Sequence, residues 1–147
     1  MRLTRFTNYS LRALVYLGQH TDQRVTINEV SEVYGISKNH LMKVISNLTR
    51  LGVVAAQRGP GGGICLNKLA ENISLGEIVS NTEKHLQDLE SAGLREHDGS
   101  STDSRMQSCL QQALRAYLDV LGQYTLADIL QSPESIPDVF DLNVKAA

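Results

Sequence analysis

The chain has 147 residues, 41% of them hydrophobic, and a formal net charge of −2, which suits one compact domain or a small domain with an appendage. No apolar run is long enough to span a bilayer, and residues 1–20 do not read as a signal peptide, because polar residues interrupt apolar ones at helical spacing. Cys65 and Cys109 are too few for a disulfide framework and lack zinc-ligand spacing, so the expected setting is cytoplasmic and reducing.

The small net charge hides a split. Residues 1–68 hold nine Lys and Arg against Asp22, Glu29 and Glu32, an excess of six positive charges. Residues 69–147 hold five basic residues against 13 acidic ones. A basic front half suggests an anionic partner, of which nucleic acid is the usual one, against the plainer reading of a solvated surface.

In chain order, Thr7 is expected to cap a helix reaching about His20, with Leu11, Leu14, Val15 and Leu17 facing inward. Thr26 and Glu29 fit a capping box. The helix they open carries Ile27, Val30 and Tyr34 on one side and stops at Gly35, which suits a left-handed cap. Ser37 then caps "KNHLMKVISNLTR", where Leu41, Val44, Ile45 and Leu48 recur at i, i+3, i+4 and i+7. The opposite face holds Asn39, Lys43, Ser46 and Arg50, flanked by Lys38, His40, Met42 and Asn47. Two helices joined by a tight glycine turn form the helix-turn-helix pattern.

"VVAAQ" and "GICLN" read as two short strands, joined by "RGPGGG". A phosphate-binding loop would need Lys-Ser or Lys-Thr after the glycines and then a helix. Ile64 and Cys65 follow instead, so the stretch is the tip of a hairpin, a wing beside the recognition helix. Glycines such as Gly59, Gly61 and Gly62 remove side-chain bulk there, and Arg58 supplies charge; the plainer reading is a flexible turn with an incidental arginine.

Ser74 and Glu77 suggest a further capping box. From Glu83 to Asp103 the pattern dissolves into polar residues. From Ser104 to Tyr124, the residues Met106, Leu110, Ala113, Leu114, Tyr117, Leu118 and Leu121 make an apolar stripe, widened by Cys109, Ala116 and Val120. An arc of about 200° is broader than the roughly 100° stripe of a helix packed on one domain. Such a helix must bury two sides, as in a homodimer or in the core of a monomer. Thr125 caps a short closing helix in "YTLADIL". The expected fold is mainly α with a small β-hairpin. A winged helix-turn-helix occupies residues 1–82, a loop 83–103, a dimerisation helix with its closing helix 104–131, and a tail 132–147.

These segments, "MRLTRFTNYSLRALVYL", "VSEVYGIS", "RGPGGG" and "YTLADIL", resemble the winged-helix regulators typified by the iron–sulfur cluster regulator IscR and the nitric-oxide-sensing repressor NsrR, with the closing segment leaning toward the NsrR branch. The resemblance implies a dimeric, sequence-specific transcription regulator, a repressor of the redox or nitric-oxide stress class, acting on a pseudo-palindromic operator in double-stranded DNA. By position it assigns Lys38, Asn39, His40 and Lys43 to the major groove and Arg58 to the minor groove. Arg50 and the tip glycines Gly59, Gly61 and Gly62 complete the expected DNA-binding set.

Cluster-bearing members carry three cysteines in the loop before the long helix. Here residues 83–104 contain none: those positions fall near Gly93 and Asp98 and on Ser104, and the acidic fourth-ligand position of the NsrR branch falls on Asn8. Amide and hydroxyl replace thiolate and carboxylate poorly. The expectation is no cofactor and no metal, against the family alternative of a 2Fe-2S or 4Fe-4S cluster.

The competing function is a winged-helix protein-interaction module without specific DNA binding. An enzyme is disfavoured, because His20, His40, His85 and His97 belong to no HExxH, GxSxG or metal-ligand pattern.

Overall fold

The computed structural model describes residues 3–86, 88 and 101–131, with the backbone alone for 101–104. The loop positions Gly93 and Asp98 and the tail from residue 132 lie outside the described residues.

Helix α1 (Arg5–Gln19) begins a turn earlier than expected. Its cap is Thr4, whose Oγ1 accepts the Thr7 N–H at 3.3 Å. Both threonines satisfy the capping rule locally, but Thr7 is fully buried inside the first turn. Leu11, Leu14, Val15 and Leu17 face inward as expected, joined by Asn8, Ser10 and Ala13. The burial is broader than an amphipathic stripe because α1 is central, packing on the other helices of the domain and on the hairpin.

Helix α2 (Ile27–Tyr34) has both halves of the Thr26–Glu29 capping box. It ends at Gly35 with φ 62°, a left-handed backbone that glycine adopts without strain. Ser37 then accepts the His40 N–H and starts α3 (Lys38–Arg50). Leu41, Val44, Ile45 and Leu48 are the buried residues of α3, as the periodicity requires.

Strands β1 (Val54–Gln57) and β2 (Gly63–Leu66) pair antiparallel, with Ala55 opposite Cys65. Val25, just before α2, exchanges two backbone hydrogen bonds with Ile64, at 3.0 and 2.8 Å, and so adds a bridge at the wing base. A 3-10 turn (Ala70–Asn72) leads to α4 (Leu75–Thr82), capped by Ser74 through the Glu77 N–H. The reciprocal half of that expected box is not formed among the described contacts.

The long helix α5 (Ser101–Gly122) starts three residues before the predicted Ser104. The closing helix α6 (Leu126–Leu130) has a full capping box between Thr125 and Asp128. A bridge between Ser74 and Thr125 ties the start of α4 to the start of α6: Leu75 donates to Tyr124 at 3.0 Å and Leu126 donates to Ile73 at 2.9 Å.

The main core joins α1, α2, α3, the hairpin, α4 and Leu126. A smaller cluster centres on Val79, Leu86 and Leu114, flanked by Leu3, Tyr117, Leu118 and Leu121. Beside it lies the buried carboxyl of Glu83. Its Oε1 accepts the Thr4 N–H at 2.6 Å, and its Oε2 is 3.1 Å from His85 Nδ1 without hydrogen-bond alignment. Burial, with a smaller contribution from Glu83, pushes the Tyr117 hydroxyl up from its ordinary range. Among the described residues no helix is long and apolar enough to cross a membrane.

Candidate nucleic-acid interface

Burial of Leu41, Val44, Ile45 and Leu48 turns the remaining faces of α3 outward. Asn39, Lys43 and Arg50 come together there with Met42, Ser46 and Asn47 along one shallow concavity. A second, longer groove runs between α3 and the wing. It takes Met42 and Ser46 from the helix, Arg58, Gly59 and Gly62 from the wing, and Asn28 from the start of α2. The predicted site residues therefore gather on one side of the molecule, around two adjoining concavities that share Met42 and Ser46.

Lys38, His40 and Gly61 line neither concavity, although all three belong to the same exposed region or its edge. The His40 Nδ1 is 3.0 Å from the Ser37 hydroxyl, and its ring lies 6.1 Å from that of Tyr9 in a tilted arrangement. His40 is thus braced against the helix cap and α1. Arg50 donates to Asn47 Oδ1 at 2.7 Å. Among the described residues, Lys38, Lys43, Arg50 and Arg58 form no ion pair. Their charge is not neutralised internally, as an anion-binding surface requires.

The wing tip separates two roles for glycine that look alike in sequence. A side chain at Gly62 would lie 2.4 Å from the Gln57 carbonyl and 2.7 Å from that of Gly59, so the hairpin itself demands glycine there. At Gly61 the surrounding space is open, and the requirement comes from φ 72°.

Asn28, Thr49 and Gln57 also line the inter-element groove and were not singled out from sequence. Periodicity marks the outward face of α3, but the approach of α2 to the wing depends on the Val25–Ile64 bridge, a pairing of distant residues with no local signal.

The sequence matches the family described as Rrf2, iron-dependent transcriptional regulator, across residues 3–132. The chain belongs to the Rrf2 family. It is 44% identical over 138 residues to the HTH-type transcriptional regulator NsrR of Bacillus licheniformis, covering 92% of this chain and 96% of that protein. Its fold is similar to that of T. potens IscR, with TM-score 0.71 and 26% identity over 92% of this chain and 90% of the other. The oxidized form of Staphylococcus aureus CymR shares the fold at TM-score 0.65 and 21% identity, over 89% and 97% of the two chains. The winged helix-turn-helix is therefore that of an Rrf2 regulator, and the protein is a DNA-binding transcription regulator, a non-enzymatic role.

Iron–sulfur chemistry in this family has to be tested against the donors present. Asn8 is nearly buried in α1, and its Oδ1 accepts from Arg12 Nε at 2.9 Å, a neutral acceptor already engaged. Cys65 sits on β2 opposite Ala55, and Cys109 lies exposed on α5. Among the described residues no three His, Cys, Asp or Glu gather as a metal site. Asn8, Gly93, Asp98 and Ser104 offer no thiolate, so these positions do not fit a cluster that thiolates hold.

Proposed function

We propose that this Rrf2 protein is a cytoplasmic repressor that binds a pseudo-palindromic operator as a homodimer. The reading rests on one pairing: an unneutralised basic surface on α3 and the wing, and an apolar stripe on α5 that its own domain leaves uncovered. Leu114 of α5 is buried, and Tyr117, Leu118 and Leu121 pack beside it. Met106, Leu110, Val120 and Tyr124 are at least half exposed, at 63%, 53%, 54% and 50%. Within α5, Met106, Leu110, Ala113, Tyr117 and Val120 recur in alternating steps of four and three residues, the spacing of a helix–helix seam, and Tyr124 follows just past the helix end.

In such a twofold pair, each chain presents one α3 to a major groove, with half-sites about one helical turn or a multiple apart. Lys43 and Asn39 reach base edges, Arg50 approaches phosphate, and Lys38 and His40 stand at the helix start. The groove between α3 and the wing straddles one sugar–phosphate strand. Arg58, with Gly59, Gly61 and Gly62 beside it, enters the neighbouring minor groove, where negative potential is strongest when the groove is narrow. Residues 1–82 read DNA, 104–131 join the two chains, and 83–103 connect them.

No iron–sulfur cluster is assigned, because the family ligand positions hold Asn8, Gly93, Asp98 and Ser104. Iron analysis of anaerobically purified protein should find no stoichiometric metal; about two irons per chain would reverse this part of the reading. Sedimentation of the free chain and of its complex with selected duplex DNA tests the rest. The expected species are a dimer and a dimer on one duplex, with affinity falling steeply as salt rises. A monomer in both states, or affinity indifferent to salt, contradicts the proposal.

A further inference from the structure

Met42 is at odds with its surroundings. Among the exposed residues of α3 it is the large apolar one, 50% exposed, with Asn39, Lys43, Ser46 and Arg50 around it. An exposed methionine on a surface built for a charged polymer contributes neither a hydrogen bond nor an ion pair. It lies one turn from Asn39 and one turn from Ser46, and it lines both the α3 concavity and the groove beside the wing. A ligand seated across that boundary covers it.

We propose that Met42 is a specificity-determining residue that recognises thymine through its C5-methyl group, at the wing-side edge of the bases read by α3. This deepens the DNA-binding reading and rests on it. The thymine methyl is the apolar group that the four base pairs display along the major-groove edge. Burying it against a side chain removes apolar surface of both partners from water. Methionine suits that contact because its unbranched, polarizable chain adapts to the position of a methyl. Neighbouring Lys43 and Asn39 supply polar readout, so Met42 adds a preference that they do not. Its placement beside the groove holding Arg58 puts the thymine next to the phosphate strand between α3 and the wing.

The test begins with selection of tight-binding duplexes from a random-sequence pool by the full chain. Each thymidine in the selected duplex is then replaced singly by deoxyuridine, which removes only the methyl. We expect one such position in each half-site to lower affinity about fourfold, the equivalent of one buried methyl group. Met42→Ala should bind deoxyuridine and thymidine equally at that position, whereas Met42→Leu and Lys43→Ala should keep the penalty. Because the side chain is exposed, Met42→Ala should retain the wild-type thermal midpoint. Indifference of the wild-type chain to deoxyuridine everywhere, or a penalty that survives in Met42→Ala, overturns the assignment while leaving specific DNA binding intact. Failure of any sequence to be enriched overturns both.

Discussion

Helices α3 and α5 are both amphipathic, and they leave opposite kinds of surface uncovered. The outward residues of α3 are mostly polar or basic and line an open concavity. Those of α5 include Met106, Leu110 and Val120, all more than half exposed. A solvated cation remains in water until it meets a phosphate, where it displaces the counterions condensed on the nucleic acid. An apolar stripe gains by leaving water, and the steady mate for it is the same stripe on a second copy. On the function proposed above, the difference means that one helix is finished by nucleic acid and the other by a second copy of the chain. It also makes the two assignments separable by mutation.

The largest effect is expected at the α5 surface. Leu110→Ala removes a leucine contact from each chain of the proposed dimer, about 1.5–3 kcal/mol per side chain and roughly twice that per dimer. Sedimentation equilibrium should show dissociation at concentrations where the wild type is paired, while the circular dichroism of the chain is kept. On α3 the corresponding loss is internal. Leu48 is fully buried, so Leu48→Ala should cost about 2–5 kcal/mol in urea denaturation. If both mutations acted only on folding, the contrast between the helices would disappear.

Lys43→Ala sharpens the other side of the comparison. It should leave folding and dimerisation unchanged and relax preference at one position per half-site by about 1–3 kcal/mol, read by competition among single-base variants. Thr26→Ala, at the cap of α2, should cost about 1 kcal/mol of stability. The smallest effect belongs to Glu29. Its carboxyl is held below the usual carboxylate range by the Thr26 backbone N–H and then by the Thr26 hydroxyl. A depressed carboxylate stabilises the fold above its unfolded pKa, and that contribution fades as pH falls through the folded value. Glu29→Gln should therefore flatten the acid side of the stability profile without changing DNA preference.

Much of this was legible from local rules. The spacing of Leu41, Val44, Ile45 and Leu48 gives both the buried face of α3 and, by subtraction, the basic one. The caps at Thr26, Ser37 and Thr125 are short-range hydrogen bonds between residues three apart, and they form as their side chains dictate. Thr4 and Thr7 show where such rules fail: each is a competent cap, and packing of the first turn chooses between them. The reach of the site toward Asn28 and Gln57 was not legible, because it depends on Val25 meeting Ile64 across the intervening fold. Nor does a run of glycines announce which of its members serves the hairpin and which leaves the tip open; only the carbonyls facing Gly62 decide that.

The bridge between Ser74 and Thr125 has a mechanical consequence. It closes a loop of chain that contains all of α4 and α5, with two backbone hydrogen bonds as the clasp. A torque applied along α5 is therefore delivered at both ends of that loop, to the base of α4 and to α6, and α6 in turn packs on α1. In the proposed dimer, a turn at the α5 seam would therefore pass to α1, on which α2, α3 and the wing strand β2 pack. The quantity that such a turn would change is the separation and tilt of the two α3 helices of that dimer, which the spacing of an operator's half-sites measures.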